Sequence, residues 1–212
     1  MLDSSLVVFI GTAIVLIVKP GPGMLYVTAR TLKQGQRVGA ISAIGLSVGI
    51  LVHVLTAAAG LSALLMTSTV AYNIVKYVGA GYLIYLGIRT LLARDRNSTV
   101  TIPQTTTLSN TFSQGLLTNI FNPELALFFL SFLPQFVDPT RSDAALQMIA
   151  LGMLFVILSI LWLTVVVLVL SKAGTWLQTW LRNSSGIAKF QKWLAGSILI
   201  FIGLRLAIAE QE

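Results

Sequence analysis

The sequence contains no cysteine and a single histidine, His53. The first absence excludes disulfides, thiolate metal sites and thiol redox chemistry. The second leaves no multi-histidine metal site. No cofactor, metal site or catalytic residue is implied. No GxxxxGK[ST] run is present either, so direct use of ATP is not expected. Charge is scarce as well. Asp, Glu, Lys and Arg make up 10% of the 212 residues, against about 25% in a water-soluble domain. So few charges cannot cover a surface in water, and the natural solvent for this chain is lipid.

What is present is apolar. Hydrophobic residues account for 56% of the chain, and its mean hydropathy is +0.87. The net charge of +7 would suggest nucleic acid in a soluble chain. Here the cations sit in short connections, where they set membrane orientation, and no nucleic-acid partner is expected. The N-terminal run, about 1–18, starts with Asp3 and lacks a basic leader. It reads as a first span and not as a cleavable signal.

A span needs roughly 20 apolar residues. Such runs cover about 6–28, 38–65, 71–92, 111–133, 144–170 and 187–208, with a polar connector at 93–110. Arg30, Lys33, Arg37, Arg89, Arg94, Arg96, Lys172, Arg182, Lys189 and Lys192 then fall on one side. Lys76, Arg141 and Arg205 fall on the other. The richer side is read as cytoplasmic, which places both termini outside. The expected fold is all-α: one transmembrane domain over 1–212 with six transmembrane helices. Its two halves, 1–92 and 111–212, each open with a span broken at proline. Three spans per half force opposite orientations, the inverted-repeat plan of secondary transporters whose halves rock to alternate access.

The first break is Lys19-Pro20-Gly21-Pro22-Gly23. Two prolines remove backbone donors and two glycines relax the allowed φ. Unsatisfied backbone is costly in lipid, so the break must face protein or a watery cavity. Amides opening the second half-helix suit an anionic group such as a carboxylate. The bland alternative is a kink near the cytoplasmic face. Lys19 either snorkels to the interface or faces an acid or substrate. The second break lies in Asn119-Ile120-Phe121-Asn122-Pro123-Glu124. Glu124 is the one acid placed within a span, a candidate proton acceptor or partner for a substrate amine. It is equally a favourable acid in the first turn of a helix. Asn119 and Asn122 add hydrogen-bonding groups. Lys19 and Glu124 hold comparable places in the two halves, so they are expected to lie near one another across the repeat interface.

Gly45-Leu46-Ser47-Val48-Gly49 matches the G-x-S-x-G of serine hydrolases, which requires a strand-to-helix elbow. Here it sits within an apolar helix, and His53 lies about 240° round that helix from Ser47. The small residues from Gly39 to Gly49, like Gly79, Gly81 and Gly87, suit close helix packing. His53 is either a proton relay or a hydrogen-bond donor to a neighbouring helix. Phe128, Phe129, Phe132 and Phe136 line a cavity or face lipid. Trp176, Trp180 and Trp193 suit interfacial anchoring, and Lys76 interfacial snorkelling. The Asn97-Ser98-Thr99 glycosylation pattern falls in a loop read as cytoplasmic.

Three stretches, KPGPGMLYVTARTLKQGQRVG from Lys19, GAGYLIYLGIRTL from Gly79 and FSQGLLTNIFNPELALFFLSFLPQFVDP from Phe112, resemble the lysine exporter (LysE/RhtB) family of amino-acid efflux proteins. The resemblance extends from about residue 6 to the C-terminus. It implies a six-span exporter of the bacterial inner membrane, driven by proton exchange, with Pro20, Gly21, Pro22, Asn119, Asn122 and Pro123 as motif positions. The chain departs from the family pattern at Lys19, Gly23, Ile50 and Glu124, as if charges had been relocated. The leading reading is therefore a secondary transporter exporting an amino acid or related small metabolite. Its partners would be that substrate and the lipid bilayer, and a homo-oligomer is compatible with it. The substrate would be held by Lys19, Pro20, Gly21, Pro22, Gly23, Asn119, Asn122, Pro123 and Glu124, with Glu124 and His53 as proton-coupling groups. The alternatives are a passive channel or membrane interaction protein, and an intramembrane enzyme, for which no convincing nucleophile–base pair is found.

Overall fold

A computed structural model describes residues 4–61, 69–92, 107–138, 141–183 and 185–208. Its helices are α1 (Ser4–Val18), α2 (Pro22–Gln34), α3 (Gln36–Thr56), α4 (Thr69–Leu92), α5 (Leu108–Ile120), α6 (Pro123–Leu127), α7 (Ala144–Asn183) and α8 (Ser185–Ile208). A π turn, Ala57–Leu61, extends α3. A π turn, Phe128–Phe132, and a 3₁₀ turn, Leu133–Phe136, extend α6. No strand occurs among the described residues.

Both predicted breaks are present, for the same local reason. Pro20 has no N–H with which to continue α1. Helix then restarts at Pro22, at a first-turn position where a missing donor costs nothing. The second break repeats this with Pro123, and there Asn122 caps the new helix, its Oδ1 accepting from the Glu124 amide at 3.0 Å. The axes bend by 49° between α1 and α2, and by 48° between α5 and the segment from Pro123 to Phe136. Between α2 and α3 the chain reverses at Gly35, whose φ of +87° favours glycine.

Residues Gln36–Gly60 and Ala144–Lys172 are each long and apolar enough to cross a membrane. Each bent pair can supply one further span. The described residues thus give two spans, or four with the bent pairs, where the sequence predicts six. The described apolar stretches of α4 and α8, Ala80–Leu92 and Trp193–Leu204, are shorter than a span. The outward face of α7 is largely apolar, with Ile157, Ile160, Leu161, Val165 and Val169 all exposed. That much exposed apolar surface on long apolar helices is a lipid-facing surface. This is a multi-pass membrane protein.

The aromatic residues after Glu124 form the core. Phe128, Phe129 and Phe132 are fully buried, and Phe136 is partly so. Phe128 and Phe129 pack on Phe155 of α7 at ring separations of 5.3 and 5.2 Å. Phe136 packs on Phe9 of α1 at 5.4 Å. Their period lay between the cavity-lining and lipid-facing readings because π and 3₁₀ turns shift the register of this segment.

Two helix pairs meet backbone to backbone. A Cβ at Gly45 would overlap the Phe112 carbonyl, and one at Gly49 would lie 2.7 Å from the Leu116 oxygen. From α5, a Cβ at Gly115 would lie 2.8 Å from the Ser42 oxygen. The pair α4–α8 is built likewise. A Cβ at Gly87 would lie 2.7 Å from the Gly196 oxygen, and one at Gly203 2.8 Å from the Ala80 oxygen. Small residues permit such approach, and no solvent needs to be expelled to favour it. Ser47 sits in continuous helix, not at an elbow, and its hydroxyl donates to the Ala43 carbonyl at 2.9 Å. Before α7, Arg141 clasps Asp143 with two hydrogen bonds, at 2.9 and 2.8 Å, and these, with one from Gln147, lower the pKa of its carboxyl to about 2.

Several sequence expectations lie outside the described residues: the connector at 93–106 with Arg94, Arg96 and Asn97-Ser98-Thr99, and the side chains of Lys76, Gly79, Trp176, Trp180, Arg182, Lys189, Lys192 and Arg205. Trp193 is described and is 60% exposed, as an interfacial or lipid-facing ring would be.

The glycine contacts generate a test. Gly49→Leu should force α3 and α5 apart and destabilise the protein by about 1–3 kcal/mol, the usual cost of overpacking. The check is the temperature at which detergent-solubilised protein loses its monodisperse peak. Gly11→Leu, at a glycine with open space around it, should leave that temperature unchanged.

Candidate functional site

The two breaks face each other. Lys19, just past the end of α1, donates from Nζ to Oε1 of Glu124 in the first turn of α6, at 2.8 Å. The pair crosses 105 positions of sequence and joins the two halves of the chain. Its side chains are 12% and 20% exposed. A cavity of about 70 Å³ adjoins the pair. Its polar side chains are Lys19, Asn119, Asn122, Glu124 and Ser159, and Gly21, Pro22 and Gly23 line it beside them. Its apolar wall includes Leu16, Leu46, Ile50, Phe155 and Leu163. Seven of the ten residues expected at a site are therefore brought together. Pro20 and Pro123 bend the chain but are exposed and do not line the cavity. His53 does not line it either.

His53 serves the neighbouring break. Its Nε2 lies 2.8 Å from the Asn119 backbone oxygen. A carbonyl only accepts, so Nε2 carries the proton in this contact. The oxygen belongs to the last turn of α5, where intrahelical partners run out. It also accepts from the Asn122 amide at 3.0 Å. The Asn119 side chain turns the other way, with Nδ2 donating to the Leu46 carbonyl at 2.9 Å. Asn119 thus ties α5 to α3 from both its main chain and its side chain. Gly23 abuts it, since a Cβ there would lie 3.2 Å from Asn119 Oδ1.

A second polar junction lies further along α2. Arg30, placed by sequence among the exposed loop cations, is wholly buried. Its guanidinium donates to Gln34 at 2.9 Å and to Gln114 of α5, and lies 5.4 Å from the Tyr26 ring centroid. The Tyr26 hydroxyl donates to the Thr111 carbonyl at 2.8 Å. The signal available in the sequence is the spacing of Tyr26, Arg30 and Gln34, four apart on one helix face. Among the described residues no group of three His, Cys, Asp or Glu side chains converges to hold a metal ion.

Broken helices that bring opposite charges to one cavity inside an apolar protein make the kind of site found in membrane translocators. The chain belongs to the LysE type translocator family, whose profile matches residues 14–210. It is 29% identical to the membrane protein YrhP of Bacillus subtilis, over 97% of this chain and 99% of that one. It is 30% identical to the leucine efflux protein of Salmonella typhimurium, over 93% of this chain and 92% of the relative. A membrane protein of Pseudomonas aeruginosa is also 30% identical, over 91% of this chain and 90% of its own length. No solved structure matches the chain.

Two measurements follow from the geometry. Lys19→Met should destabilise the protein by about 1–3 kcal/mol, less than for a fully buried pair because this one is partly exposed. Lys19→Met with Glu124→Leu should recover most of that loss, and additive losses in the double variant would show that the pair is not coupled. Separately, His53→Leu should cost about 0.5–1.5 kcal/mol, the net worth of one hydrogen bond, because the Asn119 carbonyl keeps the Asn122 amide as a donor. His53→Gln, which keeps an N–H donor, should sit closer to the wild type in the same thermal assay.

Proposed function

We propose that this protein is a secondary transporter that exports amino acids with apolar side chains across the bacterial inner membrane in exchange for protons. The observation that carries the reading is the Lys19–Glu124 pair at the meeting of two broken helices, beside a cavity that is otherwise largely apolar. Family membership and the leucine efflux relatives supply the substrate class. The first-turn amides of α2, at Gly23 and Met24 on the cavity wall, take the substrate carboxylate. Glu124 takes the amine or the coupling proton, and Asn119 and Asn122 fix the shape of the second break. His53 acts on this site through the Asn119 carbonyl. At about 70 Å³ the cavity is well below the roughly 300–1,000 Å³ of small-molecule sites, so binding must widen it.

The architecture in this reading is a single domain of six spans. Repeats at 1–92 and 111–212 are related by a pseudo-two-fold axis in the membrane plane, and both termini lie outside. The pattern of helix contacts supports it. Third pairs with third in α4–α8, and second with second in α3–α7. Exchanging the halves turns the contact of α3 with α5 into that of α7 with α1, and both are present.

The test is efflux from proteoliposomes loaded with a panel of labelled amino acids, with and without an imposed pH gradient. Leucine and its apolar neighbours should leave saturably, and faster when protons enter in exchange. Glu124→Gln should slow efflux at least about tenfold, the equivalent of one lost interaction of ~1.4 kcal/mol. Flux that rises linearly with concentration and ignores the gradient would favour a passive channel instead.

A further inference from the structure

The Lys19 ammonium already occupies the place that a substrate amine would take on Glu124. We propose that the Lys19–Glu124 pair is a tethered stand-in for a zwitterionic substrate, and that transport begins by exchange. The entering ammonium replaces Nζ of Lys19 on Glu124, and the released Lys19 ammonium pairs with the entering carboxylate. This rests on the amino-acid exporter reading and adds to it a rule of selection: the substrate must bring both charges.

The physical basis is charge balance in a poorly hydrated place. Lys19 and Glu124 are the charged residues on the cavity wall, and they cancel. Removing one partner from a buried pair is costly because the other charge is left uncompensated. A simple amine that captured Glu124 would strand Lys19, and a simple carboxylate that captured Lys19 would strand Glu124. A zwitterion strands neither. Lys19 is suited to the exchange by position and by chemistry. It sits where helix α1 has ended, and a flexible four-carbon stem carries its ammonium. Next to the pair, Leu16, Ile50, Phe155 and Leu163 offer an apolar side chain a wall without further charge. Because Lys19 belongs to the first half and Glu124 to the second, the same exchange replaces a direct bond between the halves with a bond through the substrate.

The experiment uses full-length protein in proteoliposomes with labelled leucine as probe. Two competitors keep the leucine side chain and remove one charge each: 3-methylbutylamine and 4-methylpentanoate. Against the wild type, unlabelled leucine should compete at least about tenfold better than either, since sites built around paired polar groups reject ligands that leave one unpaired. Lys19→Gln should shift the preference toward the amine, and Glu124→Gln toward the carboxylate, each by about tenfold relative to leucine. Equal competition by either analogue in the wild type overturns the proposal while leaving the transporter reading intact, and this arm needs no variant to fold. Unchanged preference ratios in variants that still bind leucine overturn it as well, since a purely structural pair would lower stability without altering selection. A wild type that carries neither leucine nor any other apolar amino acid of the panel overturns both readings together.

Discussion

A helix broken inside an apolar protein leaves carbonyls at one end and amides at the next start, and lipid can hydrogen-bond neither. In this chain the problem arises twice, and at the second break its solution is concentrated on Asn119. Its carbonyl is reached by His53 and by the Asn122 amide, and its side chain holds the Leu46 carbonyl. Gly49 of α3 and Gly23 of α2 both leave room for the same residue. The first break needs fewer partners. Prolines at 20 and 22 simply have no N–H to satisfy. The two breaks carry charges and a cavity where continuous helix would carry neither.

The breaks and their charges were legible because they oppose the background. In a chain with 10% charged residues, a lysine and a glutamate beside prolines in apolar runs stand out. Their equivalent places in two halves were enough to expect them near one another, and they lie 2.8 Å apart. The helical segments were legible for the same reason, as long apolar runs bounded by cations or by proline. His53 was left between two roles. Only the placement of α5 beside α3 reveals the backbone oxygen that its ring nitrogen meets.

Other parts were hidden because they depend on partners far away in sequence. Arg30 looked like one more cation in a short connection. Its burial requires Gln114, 84 positions on, and the face of Tyr26. A guanidinium disperses its charge over a plane, which suits it to lying over a ring such as that of Tyr26. The phenylalanines after Glu124 gave no usable period, since the segment passes from α-helix through a π turn to a 3₁₀ turn. The glycine stripe of α3 was visible, but which residue faced which helix was not. Gly39 meets Thr31 of α2, whereas Gly45 and Gly49 meet α5.

Those glycine contacts also decide where the protein can move. The α3–α5 interface joins a helix from before the connector to one from after it, and so does α4–α8. Backbones in direct contact have no side chains between them to repack. Tilting one half of the chain as a block against the other would have to prise open both interfaces at once. Bending at Lys19–Gly21 and at Phe121–Asn122 opens neither. The two proline breaks are therefore the places where the chain can bend without opening either glycine seam.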